Sequence, residues 1–348
     1  MTRSKNTGRG IIENTPILSP KHFACCTSAA LLAAFLQLPA FVCSCVQAPV
    51  PRPARNAGQI YIQWSNYPIP EALDLFFYDT LGARRLDSYQ QILRPADDAP
   101  LYGLSGAGAR YVVALTGVPG SLPAWPETGT YGNLCKLSYS LADENPDSPR
   151  LSGECLVPDG LSRLAELPLR TCLSAIRIQS LSCDFSGRPY AGAPFFLQQL
   201  FLTYAGAECH PLGAGDGYPV SWINPGKLDS TAVQRLGCPE MVLQEGLGAI
   251  GPERVYPERT LYCYANPAQE ATMGHPVTHL VLSGTVEGQL CYYPIPLPGL
   301  EPGCCYVLDI TLRRMGTPDP DQPAVPGSYR LESRVRPWEE REPYTVTF

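Results

Sequence analysis

The sequence predicts an all-β protein, two tandem antiparallel β-sandwich domains behind an export signal. Three observations carry this. Prolines (37) and glycines (31) interrupt the 348-residue chain every few positions and leave little room for long helices. The runs between these breaks are short and rich in β-branched and aromatic residues, above all tyrosine (19 in the chain). Within those runs apolar and polar residues alternate with period two, as in strands with one face buried.

Phe23–Cys45, FACCTSAALLAAFLQLPAFVCSC, is the only long apolar run. Arg3, Lys5, Arg9 and Lys21 precede it against the single Glu13. A basic opening, an apolar stretch and a small-residue end are the parts of a secretory signal. A cysteine just after the small residue makes the pattern look like a bacterial lipobox, in which that cysteine carries the lipid. Cys45 fits best, because Ser44 precedes it and Val42 lies three before; Cys43 fits less well behind the bulkier Val42. The run approaches the ~20 residues of a membrane span. Pro39, Gln37 and several Ala, Ser and Thr residues make it a poor permanent anchor. Residues 1–44 therefore read as a lipoprotein signal peptide and Cys45 as the lipid attachment site. Residues 45–58 read as a proline-rich tether. Within it, Arg52 and Arg55 are candidate sites for a trypsin-like processing protease.

Roughly 300 residues remain, enough for two ordinary domains. The boundary falls where Pro168 ends a helical turn expected over Leu161–Leu167, giving domains 59–167 and 168–348. In the first, strands are expected at Gln59–Trp64, with Ile60, Ile62 and Trp64 on one face, and at Leu73–Tyr78. Tyr111–Leu115 is apolar on both faces, as a central strand should be. Residues 117–160 read as loops and turns. In the second domain, Leu173–Ile178 points Ile176 and Ile178 inward and Arg177 and Gln179 outward. Phe195–Tyr204 is the next strand. Residues 205–255 read as loop-rich, with a short helix over Leu228–Leu236 capped near Asp229 or Ser230. Strands follow at Leu261–Tyr264, Thr278–Leu282 and Leu290–Leu297, the last two joined through a Gly284/Gly288 hairpin. Tyr306, Leu308, Ile310 and Leu312 alternate with Val307, Asp309, Thr311 and Arg313. Beyond a turn at Gly316–Asp321, Tyr329 and Leu331 alternate with Arg330 and Glu332. The chain closes on a strand, Tyr344–Phe348.

The net charge is −6 and no basic patch suggests nucleic acid. Ten cysteines follow Cys45, without a CxxC spacing, so zinc ribbons and thioredoxin-like redox sites lack support. Export permits disulfides. Cys263 and Cys291 lie within apolar strand patterns, where a free thiol behaves as a small hydrophobe. The expectation is mostly buried thiols with room for one or two bridges, whose pairing the spacing does not assign. No catalytic set is found. His275 and His279 are four apart, but Pro276 and the strand at Thr278 argue against a shared helix face, and no HExxH pattern occurs. Gly103–Gly108 lacks the ending and helix of a phosphate loop. No G-x-S-x-G surrounds Ser105 or Ser283. Asp319 and Asp321 sit among prolines, which suits a turn between strands better than a calcium loop. No metal, cofactor or enzymatic activity is expected.

Residues 261–338 carry LYCYANP, THLVLSGTVEG, CYYPIPL and CYVLDITLRRMGTPDPDQP, then a strand ending in Pro337-Trp338. This order resembles the fimbrillin superfamily, the pilins and accessory subunits of type V pili. At the front, IYIQW, LDLFFYD and ARYVVALTG resemble anchor and minor subunits of that superfamily. The chain departs from it in reading Gly303-Cys-Cys-Tyr306 where the repeats usually carry Asn, and in its cysteine content. The resemblance implies transthyretin-like sandwiches, a lipoprotein held at the outer membrane, and other fimbrial subunits as partners through strand addition. It also implies contact with host or bacterial surface ligands. Stalk and tip subunits of such pili are cut after an Arg, whereas anchors keep the lipid. The prolines between Cys45 and Arg55 would pair poorly with a sheet, which favours an uncut, tethered anchor or minor subunit. The alternative function is a surface glycan-binding lipoprotein, which exposed, grouped aromatics would support.

Overall fold

The short apolar runs become strands, and the strands gather into four sheets. A computed structural model describes residues 58–62, 71–93, 101–105, 109–117, 128–157, 167–213 and 217–337. All of them belong to one compact unit, Pro53–Phe348. The signal, Cys45, Arg52, Arg55, residues 161–166 of the helical turn expected over Leu161–Leu167, and the closing strand Tyr344–Phe348 lie outside the described residues.

β1 (Gly58–Ile62) pairs antiparallel with β4 (Leu101–Ser105) as a ribbon. β2 (Ala72–Tyr78), β3 (Leu86–Leu93), β5 (Tyr111–Thr116), β7 (Leu151–Leu156) and β8 (Arg170–Thr171) form an antiparallel sheet in the order β3-β2-β5-β7-β8. The two-sided apolar pattern of Tyr111–Leu115 has its expected consequence, since every residue of β5 is buried. Leu75, Phe77, Val112 and Ala114 enter a core on one face. Phe76, Tyr78, Val113 and Leu115 enter another on the opposite face. Asp74 is the polar exception within β2. It stays buried because its carboxylate accepts from the Tyr89 hydroxyl at 2.6 Å and the Gln91 amide at 3.1 Å.

The rest of the chain builds a sandwich. One layer contains β9 (Leu173–Cys183), β11 (Ala205–Cys209), β12 (Ser221–Ile223), β14 (Arg259–Tyr264), β17 (Cys304–Leu312) and β18 (Tyr329–Pro337). Their order is β12-β11-β14-β9-β17-β18, and a short seventh strand, β6 (Tyr139–Ser140), pairs with β11. The facing layer is β13-β10-β15-β16, from β10 (Phe195–Thr203), β13 (Leu243–Ile250), β15 (His279–Val286) and β16 (Gln289–Pro296). A single core joins the layers. Ile176, Ile178, Leu261, Leu308 and Ile310 meet Phe195, Leu200, Leu282, Tyr293 and Ile295. One pairing departs from the antiparallel expectation: β17 runs parallel to β9. The connection between them spans β10 to β16, long enough to return the chain in the same direction.

Two bulges tune the layers. In β10 the register shifts between Leu197 and Gln199, and the inward set changes from Phe195 and Leu197 to Leu200 and Leu202. One extra residue reverses which side chains face the core, so both halves of the strand stay apolar inward. Gly284 lies opposite Leu197. A Cβ there would sit 2.2 Å from the Phe196 carbonyl oxygen and 2.7 Å from the Phe195 ring. The glycine is therefore required by close approach of the neighbouring strand. β9 shows the same device: pairing with β17 shifts beside Gln179, and the buried set passes from Ile176 and Ile178 to Leu181 and Cys183.

A buried polar network ties the five-stranded sheet to the sandwich. The Tyr264 hydroxyl donates to Glu144 Oε1 at 2.9 Å, and the Arg150 amide donates to Glu144 Oε2 at 3.1 Å. The Arg150 guanidinium lies 5.1 Å from the Tyr139 ring centroid. The Tyr139 hydroxyl donates to the Thr116 carbonyl at 3.0 Å, and the Thr116 hydroxyl accepts from Leu151 N–H at 2.7 Å. Residues 139–144 thus belong by position to the first half of the chain and by contact to both sheets.

Several expectations need correction. Residues 117–160 contain more than loops, namely a helical turn at Tyr131–Leu134, β6 and β7. β7 reads LSGECL, with Gly153 packed beneath the Pro168 carbonyl, so its pattern lacks an apolar alternation. Residues 205–255 hold β11, β12 and β13. β13 is an edge strand whose Leu243, Leu247 and Ile250 meet the sandwich core, but Gly246 and Gly248 adopt positive φ and break the apolar alternation. The first strand is described over Gly58–Ile62, one residue earlier than expected at its start; Gln63 and Trp64 of the expected Gln59–Trp64 lie outside the described residues. The short helix is Ser230–Gln234, and Asp229 caps it by accepting from Thr231 and Ala232 N–H at 3.0 Å each. The β15–β16 hairpin turns at Glu287-Gly288, both with positive φ.

Two predictions follow from this packing. Gly284→Ala costs about 3 kcal/mol in denaturant unfolding, because backbone and ring must move. Gly251→Ala, where nothing lies within 4 Å, changes stability little. Glu144 is the second case. Burial, its largest influence, raises its carboxyl above the ordinary 4.5, against the opposing pull of the Arg150 and Tyr264 hydrogen bonds. The folded state then keeps a proton that the unfolded chain has released, so stability falls as pH rises from 4.5 through the folded value. Glu144→Gln removes this component, read as the difference between wild-type and variant urea midpoints across about pH 4–7.

Candidate assembly surface

In a layered β fold the sheet edges carry the unpaired backbone groups. β18 is an edge strand of nine residues, the longest among the described residues. It pairs with β17 along its whole length, from Cys304↔Pro337 to Leu312↔Tyr329. No described strand pairs with its other side. Tyr329 and Leu331 pack against the sandwich core, while Arg330, Glu332 and Arg334 face solvent. This is the alternation expected from the sequence.

The strand is fastened by polar contacts across three strands. Arg334 Nη2 donates to Asp309 Oδ2 on β17 at 2.9 Å and to Gln179 Oε1 on β9 at 2.7 Å. The other Asp309 oxygen accepts from the Ser180 hydroxyl. Ser182 and Thr311 hydroxyls meet at 3.2 Å one step along. Gln179 is the residue at the β9 bulge, so the bulge places an acceptor where Arg334 can reach it. The Arg330–Glu332 pair at 2.6 Å is more than half exposed on both sides and contributes ~0–1 kcal/mol.

An unpaired strand edge presents a row of N–H and C=O groups that templates another strand. The β16 and β12 edges are less open, while β13 and β3 are eight-residue edges of their own sheets. Tyr292 of β16 exchanges two 2.8 Å backbone hydrogen bonds with Thr317, and Pro294 and Pro296 remove further donors there. β12 is three residues long. β18 instead carries arginines at 330, 334 and 336 against Glu332, charges that discourage indiscriminate pairing.

The residues singled out in the sequence fall as follows. Cys45, Arg52, Arg55 and Tyr344–Phe348 are not among the described residues. His275 and His279 do not form a site: the His275 ring lies 4.0 Å from Tyr218 and His279 lies 6.3 Å from Tyr204. Burial lowers the His279 pKa. Asp319 and Asp321 make a turn, with Asp321 N–H donating to Asp319 Oδ1 at 2.9 Å. Among the described residues no group of three or more His, Cys, Asp or Glu side chains is placed to hold a metal. No described helix is long and apolar enough to cross a membrane. The large aromatics Tyr78, Tyr139, Tyr264, Tyr293, Tyr306, Phe195 and Phe201 are fully buried.

One feature escaped the sequence. A cleft of about 570 Å³ opens at the seam between the five-stranded sheet and the sandwich, lined by Ser152, Arg170, Cys172, Cys209, His210 and Tyr218 among others. These residues come from β7, β8, β11 and the loops beyond them, and no local spacing announces their meeting.

No family model and no curated protein matches the sequence. Solved structures do match. A Bacteroides eggerthii protein assigned to cell adhesion superposes with TM-score 0.59 at 17% identity, over 82% of this chain and 96% of that one. A fimbrilin (FimA) from Porphyromonas gingivalis gives TM-score 0.57 at 12% identity, over 82% and 99%. A Parabacteroides distasonis protein assigned to cell adhesion gives 0.56 at 10% identity, over 84% and 99%. At these identities the likeness is one of fold, and it spans nearly the whole of each of those proteins. The chain has the fold of the fimbrilin and these adhesion proteins, as the order of its motifs led us to expect.

Proposed function

We propose that this protein is a non-enzymatic fimbrial subunit, an anchor or minor component of type V pili, acting at the cell surface in adhesion and pilus assembly. The observation that carries the reading is the superposition on a fimbrilin over 82% of this chain and 99% of that one. The motif order in residues 261–338 supports it independently. In this reading Cys45 carries the lipid that holds the subunit at the outer membrane, residues 45–58 are the tether, and Arg52 and Arg55 stay uncut. Residues 59–167 and 168–348 are read as two sandwich-type domains, joined by the buried Tyr264–Glu144–Arg150 contacts. Other fimbrial subunits are the partners, added at a free strand edge, of which β18 is the longest described. Burial of Tyr78, Tyr139, Tyr264, Tyr293, Tyr306, Phe195 and Phe201 keeps them off the exposed face that the glycan-binding alternative needs, while Phe196 and Tyr256 are exposed.

Mass spectrometry of the protein from intact cells, together with its co-purification with shed pili, tests the reading. The expected result is acylation at Cys45 and presence in pili, with Cys45→Ala releasing the subunit from the membrane. Pili containing a form that begins at Asn56 would replace the anchor with a processed stalk or tip subunit. Absence from pili would overturn the fimbrial reading. Within β18, Glu332→Pro and Ser333→Pro each remove one backbone donor, and neighbouring donors point to opposite sides of a strand. The variant whose lost N–H faced β17 destabilises the fold, and the other lowers subunit incorporation while the melting temperature stays close to wild type.

A further inference from the structure

The layer β13-β10-β15-β16 turns one face to the core and the other to a groove. Two adjoining cavities make up the groove, one of about 790 Å³ and one of about 480 Å³, and Gln199 and Tyr292 line both. Strand register sets what the groove displays. Glu245, Gln199, Ser283 and Tyr292 stand directly opposite one another across the four strands. Ala249, Phe196, Thr285 and Leu290 form the neighbouring row. Residues opposite one another in a ladder share a face. One row is therefore polar, with a carboxylate, an amide and two hydroxyls. The other presents Phe196 and Leu290, each about half exposed at 49% and 48%. The β10 bulge adds Gln198 between the two rows.

The groove is held in shape. Gln199 Nε2 donates to Glu245 Oε1 at 2.9 Å, which orients both side chains. The 2.8 Å backbone hydrogen bonds between Tyr292 and Thr317 hold the Pro318–Pro320 turn to β16, and that turn walls the smaller cavity together with Lys227 and Ser230. β10 and β15 are hydrogen-bonded to neighbours on both sides. The face thus offers side chains rather than backbone groups, and an added strand finds no partners there.

We propose that this groove binds an uncharged oligosaccharide. The inference rests on the surface location in the proposed function and gives the adhesive role a site. A sugar ring shows C–H groups on one face and hydroxyls that donate and accept around its edge. Phe196 supplies an apolar ring for the C–H face, and Glu245, Gln199, Ser283 and Tyr292 supply donors and acceptors for the hydroxyls. Among the lining charges Glu245 and Asp319 outnumber Lys227, which disfavours phosphate- or sulfate-bearing ligands. An apolar partner would strip water from Gln199 and Glu245 without replacing its hydrogen bonds. Three strand spacings of ~4.8 Å make the polar row about 14 Å long, room for more than one sugar ring.

The test applies the purified, folded protein to a printed panel of neutral, sialylated and sulfated oligosaccharides, then titrates the retained sugar by calorimetry. The expected result is retention of a neutral oligosaccharide. Phe196→Ala should weaken its affinity about tenfold, and Tyr292→Phe, which removes one hydroxyl and keeps the ring, several-fold. Tyr256→Ala removes an exposed ring outside the groove and should leave affinity unchanged. Should Phe196→Ala fold poorly, Tyr292→Phe decides. Retention of no sugar, retention of charged sugars alone, or wild-type affinity in both groove variants would each overturn the proposal. A protein that binds the sugar yet is absent from pili sinks the fimbrial reading alone; one found in pili that retains no sugar sinks this inference alone.

Discussion

β9 is committed on both faces and both edges, and the second half of the chain is arranged around that commitment. It sits between β14 and β17. Its inner side chains, Ile176, Ile178, Leu181 and Cys183, belong to the sandwich core. Its hydroxyls are used as well. Ser174 donates to the Glu301 carbonyl at 2.7 Å, Ser180 reaches Asp309, and Ser182 meets Thr311. Each buried aliphatic side chain of this kind contributes about 1.5–3 kcal/mol. The hydroxyls keep an otherwise buried strand from leaving polar groups unpaired. The bulge at Gln179 lets one strand satisfy both demands over eleven residues despite the twist of the sheet.

Legibility in the sequence followed burial. Strands with a buried face were readable: β2 and β5 in the first half, β9, β10 and β14 to β18 in the second. The half-buried alternation of β17 and β18 also gave the correct faces, down to Arg330 and Glu332 pointing outward. Strands whose core residues do not alternate cleanly were not readable. β13 sets Leu243, Leu247 and Ile250 against the core but is interrupted by two glycines at positive φ, and β7 places Ser152, Gly153 and Glu154 between Leu151 and Cys155. Both exist because a neighbour supplies backbone partners, and hydrophobic periodicity does not record that. The parallel pairing of β17 with β9 is equally silent, since register between distant strands is a property of the whole layer. The seam is the clearest case. Ser152, Cys172 and Pro211 lie far apart in sequence and meet only through three separate strand pairings.

Buried polar contacts join the two halves of the molecule. Tyr139 and Ser140 extend the sandwich sheet, while the Tyr139 hydroxyl returns to Thr116 at the end of β5. Glu144 receives Tyr264 from the opposite side. Such cross-ties resist shear between the sheets.

The fimbrial reading rests on fold likeness and motif order, and position on the cell tests it most directly. Immunogold electron microscopy with an antibody raised against the folded protein would show where it resides on intact cells. The account predicts gold particles on filaments, at their bases if the subunit is an anchor. Label spread evenly over the envelope with filaments unmarked, or no surface label at all, would contradict it.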